Sequence, residues 1–165
     1  MNFLAHLSFP YIILVIVSYL LGINITGEHI ILLLIFSVLP DFDLVVHFII
    51  KKTKGEKFSF NINHHKWLSH WPIFYAPFLI LFIIHPSITT FVMMYGLYSH
   101  LLLDTFADGH GIMWLKPLSK KWFNYFAEKT RGKLGLKWLK AYTKTVFYKT
   151  ERITAIIMML HILAR

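Results

Sequence analysis

Two carboxylates and an imidazole occur within residues 39–47, one of the most apolar parts of the sequence. A carboxylate at membrane depth costs about 2.5–3.5 kcal/mol on insertion scales, so such groups are usually paired, bound to a metal or directed into a polar cavity. Because Pro40 interrupts the preceding helical run, Asp41 and Asp43 can converge on one cation from a turn. The stretch predicts half of a divalent-metal site. The alternative is a helix break whose aspartates cap the next helix.

The rest of the chain supplies matching ligands. His100 and Asp104 are four residues apart, so a helix places them on one face, where they can hold one metal ion or two adjacent ions. The alternative is a hydrogen bond between them that ties the helix end. His65 and His70 flank a predicted helix start, and imidazole is the commonest metal ligand. His6 lies at the start of the first apolar run.

Lys66 lies between two predicted ligands, where its ammonium group could stabilise the charge of a substrate phosphate. The alternative is a lysine placed there by membrane topology alone. His47 follows Asp43 by one helical turn and could contact it or extend to the membrane interface. The patterns assign no role to three further residues, His64, Asp108 and His110. Three histidines fall outside the cluster and are predicted to be interfacial or packing residues: His29, His85 and His161.

The composition is typical of a membrane protein. Hydrophobic residues make up 56% of the 165 residues, charged residues 15%, and the mean hydropathy is +0.57. We predict one membrane-embedded domain over residues 1–165, with a core of residues 1–123 and a basic amphipathic tail of residues 124–165. The sequence contains no cysteine, which excludes disulfides, thiolate zinc sites and cysteine nucleophiles.

The apolar runs predict an all-α integral membrane bundle of about four spanning helices, with amphipathic helices in the tail. The last apolar stretch, residues 153–164, is too short to span and is predicted to pack on the bundle or at the interface. The predicted passes are residues 2–23, 30–39 up to the break at Pro40, 71–84 and 87–103.

All 17 lysines and arginines lie at or after Lys51, and the net charge is +9. They flank apolar segments among aromatic residues, so membrane topology and anionic lipid headgroups explain them better than nucleic acid does. The positive-inside rule places residues 51–66 and the tail after Lys116 in the cytoplasm. The candidate ligands of all four passes then meet near the cytoplasmic face of the membrane, which would be a plasma or inner membrane.

With these residues in place, the chain resembles the YdjM-like family of inner-membrane-associated metal-dependent hydrolases, which is related to the zinc-dependent phospholipase C superfamily. The order and spacing match from His6 to about Phe123, and the basic tail after Glu128 falls outside the resemblance. The family usually has arginine at the position of Lys66, so a point charge replaces a bidentate donor. The resemblance rests on His6 and on the motifs at residues 39–43, 65–70, 100–104 and 111–119.

The residues and the resemblance together predict a metal-dependent hydrolase acting on a phosphoester of a lipid or lipid-linked substrate. The metal would lower the pKa of a bound water towards about 7 and polarise the phosphoryl oxygen. Asp41 or Asp104 would act as base or bridging ligand, and Lys66 would assist charge stabilisation. The predicted metal ligands are His6, Asp41, Asp43, His65, His70, His100 and Asp104.

These ligands suit a divalent metal, with zinc predicted and manganese or iron as alternatives. Seven ligands exceed the four of a tetrahedral zinc, which favours two ions. Two other functions stay open: a non-catalytic, metal-stabilised membrane scaffold or regulatory protein, and a membrane di-iron oxidase.

Overall fold

The structure, a computed structural model, describes residues 3–57, 63–107, 110–125, 130, 132–133 and 135–164. Helices dominate these residues, which form no strand, as the sequence predicts. Extended backbone pairs there in an isolated antiparallel bridge between Ile112 and Phe123. Asp108 lies outside the described residues. The helices are α1 (Phe3–Leu21), α2 (Gly27–Val38), α3 (Phe42–Thr53), α4 (Ala76–Ile84), α5 (Ile88–Ala107), α6 (Gly135–Tyr142) and α7 (Val146–Leu163).

Two stretches in the described part of the chain are long and apolar enough to cross a membrane. They are Phe3–Leu21 and Gly27–Thr53, the second of which contains α2, the following turn and α3. The apolar stretch Pro72–Ile84 is shorter than the roughly 20 residues that span a hydrocarbon core. The fold therefore provides two candidate spans, and the four predicted passes stay a prediction.

The helix break at Pro40 is confirmed. The chain forms a 3₁₀ turn at Leu39–Asp41 between α2 and α3. Proline cannot donate the backbone hydrogen bond that would continue α2, so the α-helical hydrogen bonding is interrupted at Leu39–Asp41. Asp41 occupies the position before α3, but its side chain makes no capping hydrogen bond. For Asp41, the capping alternative is therefore wrong.

Gly96 allows α2 and α5 to pack closely side by side. A Cβ at Gly96 would lie 3.0 Å from atoms of Leu33, Phe36 and Ser37, so a larger residue would push the helices apart. One turn later, His100 reaches the carbonyl of Ser37. The two helices therefore run in the same direction, and the end of α5 lies beside the end of α2.

Helix α1 runs antiparallel to α5. The hydroxyl of Tyr95 donates to the carbonyl of Pro10, and His6 lies beside Asp104. The start of α1 thus meets the ends of α2 and α5. A buried apolar cluster holds the three helices together through residues such as Leu14, Leu33 and Val92.

Helix α7 packs against α1, as predicted for the last apolar stretch. The Ser8 and Thr154 hydroxyls are hydrogen-bonded at 2.9 Å, and Tyr11 Oη lies 2.6 Å from His161 Nδ1. Met158 joins the core that contains Tyr11. The C-terminal helix is therefore part of the bundle.

Candidate metal centre

Five elements bring histidines and aspartates together at one end of the bundle. These elements are the start of α1, the turn at Leu39–Asp41, the 3₁₀ turns at His64–Lys66 and Leu68–His70, and the end of α5. Three groups each place three ligand atoms within 4.8 Å of one another. The groups are His6, His100 and Asp104; Asp41, His70 and His100; and His64, His65 and His70.

Asp104 lies at the centre of the cluster. Its Oδ1 is 3.3 Å from His6 Nε2, and its Oδ2 is 3.2 Å from His100 Nε2 and 3.5 Å from His65 Nε2. His70 Nε2 is 3.9 Å from the same Oδ2. The Asp104 side chain is only 1% exposed. One buried carboxylate thus faces four imidazoles, one of them from another turn of its own helix.

Asp41 is the second carboxylate facing these rings. Its Oδ1 lies 3.6 Å from Nε2 of both His70 and His100. It also lies 3.2 Å from Nε2 of His64, to which the sequence assigns no role. The adjacent pair His64-His65 could have indicated that His64 is a candidate ligand. The two residues lie in a 3₁₀ turn, however, so no helical spacing in the sequence shows that both rings face the cluster. The Asp41 side chain is 21% exposed, so solvent can reach this carboxylate.

Backbone carbonyls fix the orientation of two rings. His65 Nδ1 lies 2.9 Å from the carbonyl oxygen of Gly111, and His100 Nδ1 lies 2.8 Å from that of Ser37. A carbonyl only accepts, so each Nδ1 donates and each neutral ring keeps a lone pair on Nε2. Metal-binding histidines are commonly held in this way through their other ring nitrogen.

Asp43 orients a third ring. Its Oδ2 lies 3.2 Å from His70 Nδ1 and also accepts a hydrogen bond from the Ser69 hydroxyl. His70 Nε2 is thereby directed towards Asp41 and Asp104. Asp43 is predicted from sequence to be a metal ligand, but it belongs to none of the three groups of ligand atoms found among the described residues. Its contacts are those of a residue that holds a ligand in place.

The donor atoms fit a metal ion. Nε2 of His70 and of His100 is buried and has no hydrogen-bond partner among the described residues. A lone pair on His100 Nε2 would repel the Asp104 carboxylate at 3.2 Å unless a cation lay between them. Ligands about 2.1 Å from a tetrahedral zinc lie about 3.4 Å apart, close to the spacing seen around Asp104. The hydrogen bond between His100 and Asp104, which was the alternative to a metal site, is not formed.

The charge of the cluster acts on His70. Burial lowers the pKa of this imidazole, but the carboxylates of Asp41, Asp43 and Asp104 outweigh burial and raise the pKa to about 9. Without a metal ion, His70 therefore holds a proton at neutral pH. A metal ion bound by its ring would displace that proton.

The other predicted residues lie around the cluster. Lys66 is exposed and lines a cavity next to it. His47 packs beside Trp67, and the ligand groups found in the described part of the chain include neither His47 nor His110. Two of the histidines predicted to lie outside have structural contacts. His29 completes the capping box of α2 with Thr26, and His161 pairs with Tyr11.

Apolar helices of membrane-spanning length and a buried cluster of imidazoles and carboxylates define a helical membrane protein with a candidate metal centre. The chain matches the family described as YdjM inner membrane protein over residues 1–164, and it belongs to that family. The description agrees with the predicted inner-membrane location. No curated protein and no solved structure matches the chain.

The family match also corrects one prediction. The resemblance was expected to end near Phe123, but the match includes the tail through residue 164. The family match includes the tail because α7 packs against α1 and is part of the same bundle. A local reading of its lysines and aromatic residues does not reveal that contact.

Proposed function

We propose that the chain is a membrane-bound metal-dependent hydrolase acting on a phosphoester of a lipid or lipid-linked substrate. One observation carries the proposal: imidazole Nε2 atoms converge on two carboxylates at one end of the bundle, and two of those atoms are buried without a hydrogen-bond partner. Buried polar atoms are rarely left in this state in a folded protein. A bound divalent ion satisfies several of them together.

The proposed ligand set differs from the predicted set by one exchange, in which His64 enters and Asp43 becomes an orienting residue. Imidazole and carboxylate ligands without thiolate suit zinc, with manganese and iron as alternatives. The number of ligands supports two ions, and Asp104 would help to hold both because its two oxygens face different rings. The set is His6, Asp41, His64, His65, His70, His100 and Asp104.

The two carboxylates are suited to different tasks. A divalent ion in this centre would supply a Lewis acid and a water whose pKa falls to about 7. Asp104 is 1% exposed and would hold the centre together. Asp41 is 21% exposed, so it is the carboxylate that can reach water and substrate and accept a proton. Lys66, exposed next to the ligand His65, would bind the substrate phosphate.

Hydrolysis of phospholipids in mixed micelles tests the proposal. The purified chain, loaded with zinc or manganese, would be given phosphatidylethanolamine, phosphatidylglycerol or phosphatidic acid, and products would be followed by mass spectrometry. Asp41→Asn is expected to lower kcat by about 10²–10⁴-fold, the usual contribution of a general base. His85→Ala is the matched control, because His85 is an exposed histidine at the end of α4.

A metal-stabilised scaffold is the second candidate, because the cluster joins five separate elements and a bound ion would tie them together. At a hundredfold excess over Kd, metal would stabilise the fold by about 2.7 kcal/mol in either case. Metal-dependent stability without any product from the lipids tested would favour the scaffold. Product formation that Asp41→Asn abolishes would favour the enzyme.

Four passes and a cytoplasmic centre form part of the proposal, supported by the lysines between residues 51 and 66 and in the tail. The chain lacks cysteine, so single cysteines can be labelled in intact cells with an impermeant maleimide. Cysteines at Asn24 and His85 are expected to react from outside, and cysteines at Lys54 and Lys120 only after lysis. A chain with two spans would protect the cysteine at His85, which would refute four passes.

A further inference from the structure

A cavity lined by lysines lies next to the candidate metal centre. It has a volume of about 210 Å³ and is lined by Lys66, Met113, Lys116, Lys120 and Trp122. Lys66 directly follows the candidate ligand His65 in the turn at His64–Lys66. Three lysines around one cavity make its surroundings positively charged, which favours an anion.

The three lysines make no ion pair with a carboxylate in the part of the chain that the structure describes. Lys116 Nζ instead lies 4.5 Å from the ring centroid of Trp71, a contact that holds the ammonium group without neutralising it. Lys120 is exposed. The positive charge of the cavity is therefore available to a ligand.

The loop that carries two of these lysines is tied to the metal centre. The carbonyl of Gly111 accepts from His65 Nδ1, and the backbone groups of Ile112 and Phe123 pair across the loop. Gly111 has φ +71, and a Cβ on it would lie 2.1 Å from the carbonyl oxygen of Phe123. Glycine is thus required for the approach that places residues 112–123 beside the centre.

The surroundings of the cavity favour a lipid over a free anion. Leu118 and Leu115, on the same loop, are 93% and 50% exposed. Leu68 and Ile73, on the segment that follows Lys66, are also exposed. Exposed leucines beside lysines and a tryptophan are typical of a surface that enters the membrane interface. A cavity at the membrane interface faces lipid headgroups, so the anion that this position favours is the phosphate of a lipid headgroup.

We propose that the cavity of Lys66, Lys116 and Lys120 binds the phosphate of an anionic phospholipid headgroup and holds that lipid beside the metal centre. The proposal deepens the proposed function by naming an anionic phospholipid as substrate class and rests on it for the reaction. Binding itself requires no turnover. The two ideas can therefore fail separately.

Native mass spectrometry of the full chain in detergent tests the proposal. The protein would be titrated with phosphatidylglycerol and, separately, with phosphatidylcholine, whose headgroup carries no net charge. Lys116→Gln with Lys120→Gln is expected to weaken phosphatidylglycerol binding about 25-fold, from about fivefold per lysine at an anionic surface. Lys120→Gln alone, at an exposed residue, is expected to weaken it about fivefold.

Matched variants separate the explanations. Lys52→Gln with Lys54→Gln removes the same charge from the exposed end of α3 and is expected to leave binding unchanged. Equal weakening in this pair would overturn the proposal in favour of general charge attraction. Displacement of phosphatidylglycerol by millimolar inorganic phosphate would overturn the lipid assignment. His100→Ala is expected to keep phosphatidylglycerol binding while losing metal. Lipid binding can therefore be tested even if the proposed metal centre is wrong.

Discussion

Replacing Asp43 by asparagine is expected to weaken metal binding without removing the site. Oδ2 of Asp43 lies 3.2 Å from His70 Nδ1 and also accepts from the Ser69 hydroxyl. An asparagine oxygen can still accept from the ring, but the negative charge that makes the imidazole more basic is lost. Asp43→Ala removes both the charge and the acceptor. The two variants therefore separate the two contributions.

The expected magnitude follows from the position of Asp43 behind the ligand. Loss of such an outer partner usually costs about 10–100-fold in metal affinity. That range corresponds to about 1.4–2.7 kcal/mol. Asparagine keeps the hydrogen bond, so Asp43→Asn is expected near tenfold and Asp43→Ala near a hundredfold. Ser69→Ala removes a neutral partner and is expected to cost less than either.

Competition with a chromophoric zinc chelator measures both quantities that matter, the affinity and the number of ions bound at saturation. We expect a higher Kd for zinc and an unchanged number of bound ions in both Asp43 variants. His85→Ala serves as the histidine control. If Asp43→Asn binds fewer ions at saturating zinc and remains folded, Asp43 is a ligand, as the sequence predicts. If Asp43→Ala binds zinc like the wild type, the orienting role is wrong.

Three further predictions test the surroundings of the centre. Because the pKa of metal-free His70 is about 9, metal must displace its proton, and apparent zinc affinity is expected to rise from pH 6.5 to 9 by up to about tenfold per unit. A pH-independent affinity in the same titration would contradict this. Gly96→Leu is expected to lower the free energy of unfolding by about 1–3 kcal/mol, because the larger side chain overpacks the contact between α2 and α5. The melting temperature would fall by about 2–4 °C for each kcal/mol. Thermal unfolding that matches the wild type would contradict the close packing of the two helices. Gly111→Ala is expected to lower zinc affinity about tenfold or more by displacing the carbonyl that orients His65. Gly55→Ala is its control, because Gly55 has φ +67 with nothing within 4 Å of a Cβ, and equal losses in both would refute the specific role of Gly111.

The sequence predicts that the candidate ligands converge, because successive apolar runs cross the membrane in opposite directions. The start of one run and the end of the next run therefore lie on the same side of the membrane. His6, Asp41, His100 and Asp104 could be placed at one end from that pattern alone. The break at Pro40 could also be predicted, since proline cannot continue a helix. These features depend on local chemistry and chain direction.

The proposed exchange of Asp43 for His64 as a metal ligand could not be predicted in this way. Which carboxylate faces the centre depends on the turn at Leu39–Asp41, and the direction of each ring depends on distant partners. His65 is held by Gly111 and His100 by Ser37, contacts across 46 and 63 residues. The spacing of residues in the sequence does not predict contacts between residues that are so far apart in the chain.

The tail illustrates the same limit. Its lysines and aromatic residues predict helices at a membrane surface, whereas α7 begins earlier than the apolar stretch and packs along α1. The hydrogen bond between Ser8 and Thr154 joins residues 146 positions apart. The sequence predicts that residues 153–164 pack on the bundle or at the interface, but it gives neither the partner helix nor the start of α7.

The metal content of the purified protein decides whether the cluster of histidines and aspartates is a metal centre. The full chain, purified in detergent from metal-replete cells, would be measured by inductively coupled plasma mass spectrometry beside Asp104→Asn, His100→Ala and the control His85→Ala. We expect near-stoichiometric or greater zinc, manganese or iron in the wild type and the control, and loss of the metal in the other two variants. A wild-type protein that carries no metal, with all variants folded as it is, would contradict the metal centre.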